Sequence, residues 1–324
     1  MKTIKIGLLG LGNIGTGTYK TLEMNKVQIT EATGLNLEIS KILERDTTRE
    51  RDITVVPQQF TQDPDEIFRD PEIDIVIELL GGIEPATTFM LEAMKNKKSV
   101  VTANKAAVAA NFEKLAETAK ANQVEFRYEA SVGGGIPIIN ALTTVLQANQ
   151  FVEIQGILNG TTNYILTQMT DFGLNYEDVL KKAQELGFAE ADPTADVEGI
   201  DVANKLSILI AILFRSYVAP GQIPTQGISN ITPEDIAEAK AENSKIKLIA
   251  CARMEEGQLT YSVKPTKLSS DHPLAAVSNE FNAVYVTGNA VGELMFYGKG
   301  AGPLPTGSAV MGDVLEIAKK ITSR

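Results

Sequence analysis

Along the first 130 residues, apolar positions recur with two different periods. "TIKIGLLG" (3–10), "LEISKIL" (37–43), "IDIVIEL" (73–79), "SVVTA" (99–103) and "VEFRYEA" (124–130) read as strands. Helical spacing separates them: from about Ile14, over 85–95, and on through Ala119. Strand and helix in alternation predict a parallel sheet with helices on both faces.

The rhythm changes after Ala130. "SVGGGIPIIN" is a glycine-rich turn opening a helix, "FVEIQGILNG" is a strand, and long helices follow through Phe214. "KIKLIACARM" and "QLTYSVKPTK" are strands joined by "EEGQ", and "NAVYVTG" and "ELMFYGKG" are two more. A last helix, Gly307 to Ile321, follows a turn rich in glycine and proline. The predicted class is α/β: a Rossmann-like doubly wound sheet plus an α+β catalytic and dimerisation domain. Residues 1–130, completed by 302–324, form the first domain, and 131–301 the second.

Composition narrows the function. Of the 324 residues, 44% are hydrophobic, enough for two cores, and no apolar run approaches a membrane span. The N-terminus runs straight into strand-like sequence without a cleavable leader pattern, so a soluble cytoplasmic protein is expected. A net charge of -11 argues against nucleic acid and anionic membranes. The single Cys251 excludes an internal disulfide and a cysteine-based zinc cage; in its alternating strand it reads as a buried thiol.

Residues 10–15, "GLGNIG", place a G-x-G-x-x-G between the first strand and the first helix. Gly10 permits the tight turn, Gly12 lets backbone approach a pyrophosphate, and Gly15 lets helix and strand pack closely. The bland alternative is a structural turn. The second strand ends "ILERDTTRER". Glu44 there would suit the ribose hydroxyl of NAD, whereas Arg45, with Arg49 and Arg51 beyond, suits the 2′-phosphate of NADP. The arginines tilt the reading to NADP; the other reading is solvated turn charges.

Were the bound dinucleotide to deliver hydride to a carbonyl, the protein would need a proton donor. The sole histidine, His272 in "SSDHPLAAV", reads as a surface or capping residue, so lysine, tyrosine or a carboxylate is left. The tripeptide Ala-Asn-Lys occurs twice, ending at Lys105 and Lys205. Lys205 opens the apolar run "LSILIAILF", and Glu198, Asp201 and Lys205 are spaced to share one helix face. The pattern alone also fits a simple Asp201–Lys205 ion pair. Lys105 follows a strand directly, at the end where α/β sheets bind ligands, or is a solvated lysine at a helix start.

The motifs "GLLGLGNIGTG", "GGIEP", "VVTANK", "EASVGGGIPI", "GILNGTTNYIL", "LGFAEADPTADVEGIDVANKL" and "FYGKGAGPLPTGSAV" span nearly the whole chain in the order of one family. The sequence resembles homoserine dehydrogenase. That resemblance implies interconversion of L-homoserine and L-aspartate 4-semialdehyde with NADP or NAD, on the route to threonine and methionine. It implies Lys205 as general acid/base, Lys105 between cofactor and reacting oxygen, and Glu190, Asp196 and Asp201 on the substrate. It implies cofactor contacts at Gly10, Gly12, Asn13, Ile14, Gly15, Arg45, Gly81, Lys105, Gly187 and Gly302. It also implies a monovalent cation, sodium, on Glu129, Val132, Gly134 and Ile136, chiefly through carbonyls, and a homodimer built through the second domain's sheet. From residues alone, "EASVGGGIPI" is a domain hinge and the acidic run a solvated loop. Many members carry a regulatory ACT domain after the catalytic part; this sequence ends at Arg324, so ACT-mediated control by threonine is not expected.

Two other classes compete. A phosphorylating aldehyde dehydrogenase needs a cysteine nucleophile, which Cys251 in its strand does not provide. A non-catalytic NAD(P) sensor would keep the glycine turn without reason to keep both lysines and the acidic run.

Overall fold

The computed structural model describes residues 2–323. They divide into two compact units: the chain through Gly135 together with the stretch from Ala301, and Ile136–Gly300.

The first unit contains β1 (Lys2–Leu9), α1 (Asn13–Thr33), β2 (Leu35–Leu43), β3 (Phe60–Thr61), α2 (Asp65–Phe68), β4 (Ile73–Glu78), α3 (Ala86–Lys95), β5 (Ser99–Thr102), α4 (Lys105–Ala110), α5 (Phe112–Asn122) and β6 (Phe126–Arg127). The strands form one six-stranded sheet in the order β3-β2-β1-β4-β5-β6, and every pairing is parallel. This is the doubly wound order, with the chain reversing direction beside β1. Parallel strands covered on both faces must be apolar nearly throughout. Ile4, Ile6, Leu8 and Leu9 of β1 are accordingly sealed from solvent.

In the second unit, α6 (Ile138–Asn140) precedes β7 (Phe151–Ile157), then α7 (Gly160–Phe172), α8 (Tyr176–Glu185), α9 (Thr194–Val197), α10 (Ile200–Phe214) and α11 (Pro233–Ala241). β8 (Ser244–Glu255), β9 (Gln258–Ser269), β10 (Phe281–Gly288) and β11 (Gly292–Lys299) complete an antiparallel sheet, ordered β11-β10-β7-β8-β9. Helices α7 and α10 pack on β8. Met295 and Tyr297 on β11 stay exposed.

The final helix, α12 (Pro303–Ser323), returns to the first unit and lies along α1. It starts earlier than its pattern predicts. Pro303 and Pro305 sit in the first turn, where no amide hydrogen is needed. An added Cβ on Gly307 would fall 2.8 Å from the Gly17 backbone of α1, so this glycine lets the two helices touch. Gly312 has open space around it. Among the described residues, no helix is long and apolar enough to cross a membrane.

Candidate active site

The glycine turn behaves as its residue types dictate. Gly10 holds φ +92°, and a Cβ on Gly15 would lie 2.3 Å from the Gly10 carbonyl. Only glycine permits that approach. Gly12 N-caps α1 with no side-chain cap, and a Cβ on it would meet nothing within 4 Å. The amides opening α1, with Asn13 and Ile14 at its first positions, are therefore presented as an anion site. Gly10, Gly12, Glu44, Arg45, Arg49 and Gly81 line one cleft of about 490 Å³ at the carboxyl ends of the strands. These features fit a dinucleotide.

Glu44 is already engaged. Its carboxylate accepts from the Leu11 amide at 2.9 Å, the Arg45 amide at 2.8 Å and the Asp46 amide at 3.2 Å. Arg51 lies 3.3 Å from it and also donates to the Leu11, Arg49 and Asp46 carbonyls. Glu44 thus fastens the glycine turn to the loop after β2, while Arg45 remains exposed.

At the ends of β4 and β5, Glu78 is fully buried. It accepts from the Leu80 amide and the Thr102 hydroxyl, both at 2.7 Å, and burial pushes its carboxyl up. In the sequence Glu78 is the polar end of an apolar strand, and nothing local marks it. Asn104 caps α4, accepting from the Ala107 amide at 3.1 Å and donating to the Gly82 carbonyl at 2.7 Å. Half-buried Lys105 is the next residue, at the carboxyl end of β5.

The second unit carries a buried polar network. Lys205 and Asp201, one turn apart on α10, are both buried, and the ammonium donates to Asp201 Oδ2 at 2.7 Å and to the Leu158 carbonyl at 2.6 Å. Asn159, at the N-terminus of α7, donates to Asp201 Oδ2 at 3.0 Å and to Asp196 Oδ1 at 2.7 Å. Thr161 donates its one hydroxyl hydrogen to the Phe188 carbonyl at 2.6 Å, with Asp196 Oδ2 3.3 Å from the same oxygen. Asp196, Asp201 and Lys205 are brought together. Asn159 and Thr161 were not singled out from sequence, since capping residues read as punctuation.

Those hydrogen bonds involve none of the other expected positions. Glu198 does not share the helix face with Asp201 and Lys205: Gly199, at φ +80°, caps α10 and leaves Glu198 before the helix begins. Glu190 is exposed and Gly187 has φ +77°. Glu129, Val132 and Gly134 belong to the first unit, Ile136 opens the second, and Gly302 precedes α12 at φ +115°. Among the described residues, no group of three or more His, Cys, Asp or Glu could hold a metal ion. His272 Nδ1 accepts from the Leu274 amide at 3.1 Å, a capping bond. Burial pushes the Cys251 thiol up to about 11, with Glu153 beside it, so it is no nucleophile.

A doubly wound sheet with an uncapped glycine turn at its switch point defines a dinucleotide-binding protein of the Rossmann class. Residues 10–129 match the family "Homoserine dehydrogenase, NAD binding domain", and residues 137–315 match "Homoserine dehydrogenase". The chain belongs to the homoserine dehydrogenase family, whose known role lies in threonine and methionine biosynthesis. It is 43% identical to the homoserine dehydrogenase of Bacillus subtilis over 321 residues, 99% of this chain and 74% of that one. A homoserine dehydrogenase structure from Thiobacillus denitrificans superposes with TM-score 0.94 at 42% identity, covering 100% of this chain and 75% of that one. A hyperthermophilic archaeal homoserine dehydrogenase in complex with NADPH gives TM-score 0.81 at 28% identity, covering 99% and 98%.

Proposed function

We propose that the chain interconverts L-homoserine and L-aspartate 4-semialdehyde with NADPH as preferred cofactor and Lys205 as the proton carrier. The observation that carries this reading is the buried ammonium of Lys205, held between Asp201 and the Leu158 carbonyl. In reduction, Lys205 gives a proton to the nascent hydroxyl oxygen; in oxidation it takes one back. The nicotinamide supplies or accepts the hydride when bound. Asp196 and Asp201 are assigned the substrate ammonium, with Glu190 joining them from its exposed loop. Lys105, at the end of β5, is assigned to the cofactor side and the reacting oxygen.

NADP is favoured over NAD because Glu44 is committed to backbone amides and Arg45 and Arg49 line the cleft. The relative solved with NADPH supports the same choice. The cation assignment finds support at 129–134, where Gly133 and Gly134 both have positive φ and turn the backbone sharply; carbonyl oxygens suit a hard cation. A homodimer through the second unit's sheet is supported by exposed Met295 and Tyr297.

Absorbance at 340 nm tests the reaction. L-Homoserine with NADP should raise it, and more steeply than with NAD. A flat trace with both cofactors means a sensor instead of an enzyme.

A further inference from the structure

Asn159 joins three parts of the second unit through one side chain. Its Oδ1 accepts from the Thr162 amide at 2.9 Å and so caps α7. Its Nδ2 carries two hydrogens, and each goes to a different carboxylate: Asp196 Oδ1 at 2.7 Å and Asp201 Oδ2 at 3.0 Å. The network fixes which end is which, since an amide must meet the oxygen and carboxylates must meet the nitrogen. The same Asp201 Oδ2 receives Lys205 Nζ at 2.7 Å. Asn159 is buried.

Capping does not require asparagine. Serine, threonine or aspartate would cap as well. What asparagine adds is a donor with two hydrogens on the same head as the capping oxygen. The two carboxylates account for that choice: like charges converging on one point repel, and a shared donor offsets the repulsion.

We propose that Asn159 is a positioning residue for the reaction. Its amide fixes the Asp201–Lys205 pair in register with Asp196, so that proton carrier and substrate-facing carboxylate are held as one unit. This rests on the role given to Lys205 above. Asn159 acts through Lys205 and not on the substrate.

The test is a double-mutant cycle on the full chain, read as kcat at saturating L-homoserine and NADP. Asn159→Ser keeps a capping oxygen but is too short to bridge the carboxylates. In the wild-type background it should lower kcat by about 10- to 100-fold, the scale of a small misplacement at a reacting group. In the Lys205→Ala background, followed at high enzyme concentration, it should change kcat by less than about 3-fold, because coupled residues are non-additive. Asn159→Asp, also a good cap but donating nothing, should do at least as much harm as Asn159→Ser. Equal losses in both backgrounds would mean that Asn159 only holds the helix, and overturn the proposal. So would wild-type kcat in both single Asn159 variants. If Lys205→Ala alone keeps full activity, the proton-carrier reading fails as well, and that result is distinct from the other two.

Discussion

Lys205 Nζ lies 2.7 Å from Asp201 Oδ2, one turn back along α10, and both side chains are buried. Replacing such a pair by apolar groups is often harmless, but deleting one partner strands a buried charge. Lys205→Ala should therefore cut kcat by ~10²–10⁴, the usual worth of a general acid. It should also lower Tm, because Asp201 loses its cation. Cofactor affinity, measured by NADPH titration, should stay near wild type, since the glycine turn and its cleft lie in the other unit. Near-wild-type turnover would remove Lys205 from the chemistry.

The loop after β2 makes a separate prediction about cofactor choice. Arg45 is exposed at the cleft, while Glu44 is bound to three backbone amides. A charge-assisted hydrogen bond is worth ~1.5–3 kcal/mol, so Arg45→Ala should reduce kcat/KM for NADPH by roughly 10- to 100-fold. The value for NADH should barely move. An unchanged NADPH/NADH ratio would make Arg45 a turn charge and shift the selectivity to Arg49 or elsewhere.

Two glycines of α12 should respond oppositely to alanine. A helical glycine normally costs up to ~1 kcal/mol against alanine. Gly312 is exposed with nothing near its missing Cβ, so Gly312→Ala should raise Tm. Gly307 lies against Gly17, with backbone 2.8 Å from the added carbon. Gly307→Ala should destabilise by ~1–3 kcal/mol, the range for overpacking. Thermal unfolding of both variants decides it; two shifts of the same sign would refute the helix-contact argument.

The strands of the first sheet were legible because burial leaves β4, β5 and the second half of β1 largely apolar, β2 alternates buried apolar with polar residues, and "GLGNIG" punctuates the first of them. Shorter elements were not. β3 is two residues long within a polar stretch, and the helix after Lys105 breaks into α4 and α5 at Asn111. β6 keeps only Phe126–Arg127 of the seven residues expected, because the chain tightens into a turn at 129–131. In the site, Lys205 and Asp201 are neighbours on one helix, so spacing alone could pair them. Asn159 meets Asp196 and Asp201 across 37 and 42 residues of chain. No local pattern encodes such a meeting. Glu198 shows the converse: its spacing was right for the helix face, but a left-handed glycine ended the helix first.

A buried lysine outside the site gives the clearest pH prediction. Lys247 on β8 donates to Asn163 Oδ1 at 2.9 Å and to the Val277 carbonyl at 2.6 Å. Burial, helped by the charge of Lys245 and opposed by Asp171, lowers its pKa from 10.5 to about 8. The unfolded chain holds this proton up to the ordinary lysine range, whereas the folded chain releases it near pH 8. Between those values the unfolded state binds more protons, so stability contributed by this group rises with pH. Below pH 8 the cost of the buried charge is fully present, of order 3 kcal/mol at most. Lys247→Met removes the titration, although it also takes the lysine donor from Asn163 Oδ1 and leaves the Val277 carbonyl with the Asn163 amide at 3.3 Å, lowering stability overall. The informative quantity is the difference between the two proteins. From pH 7 to pH 9.5, wild-type stability should gain on the variant's, followed by urea unfolding at both pH values. A constant gap between them would show that Lys247 does not titrate in this window.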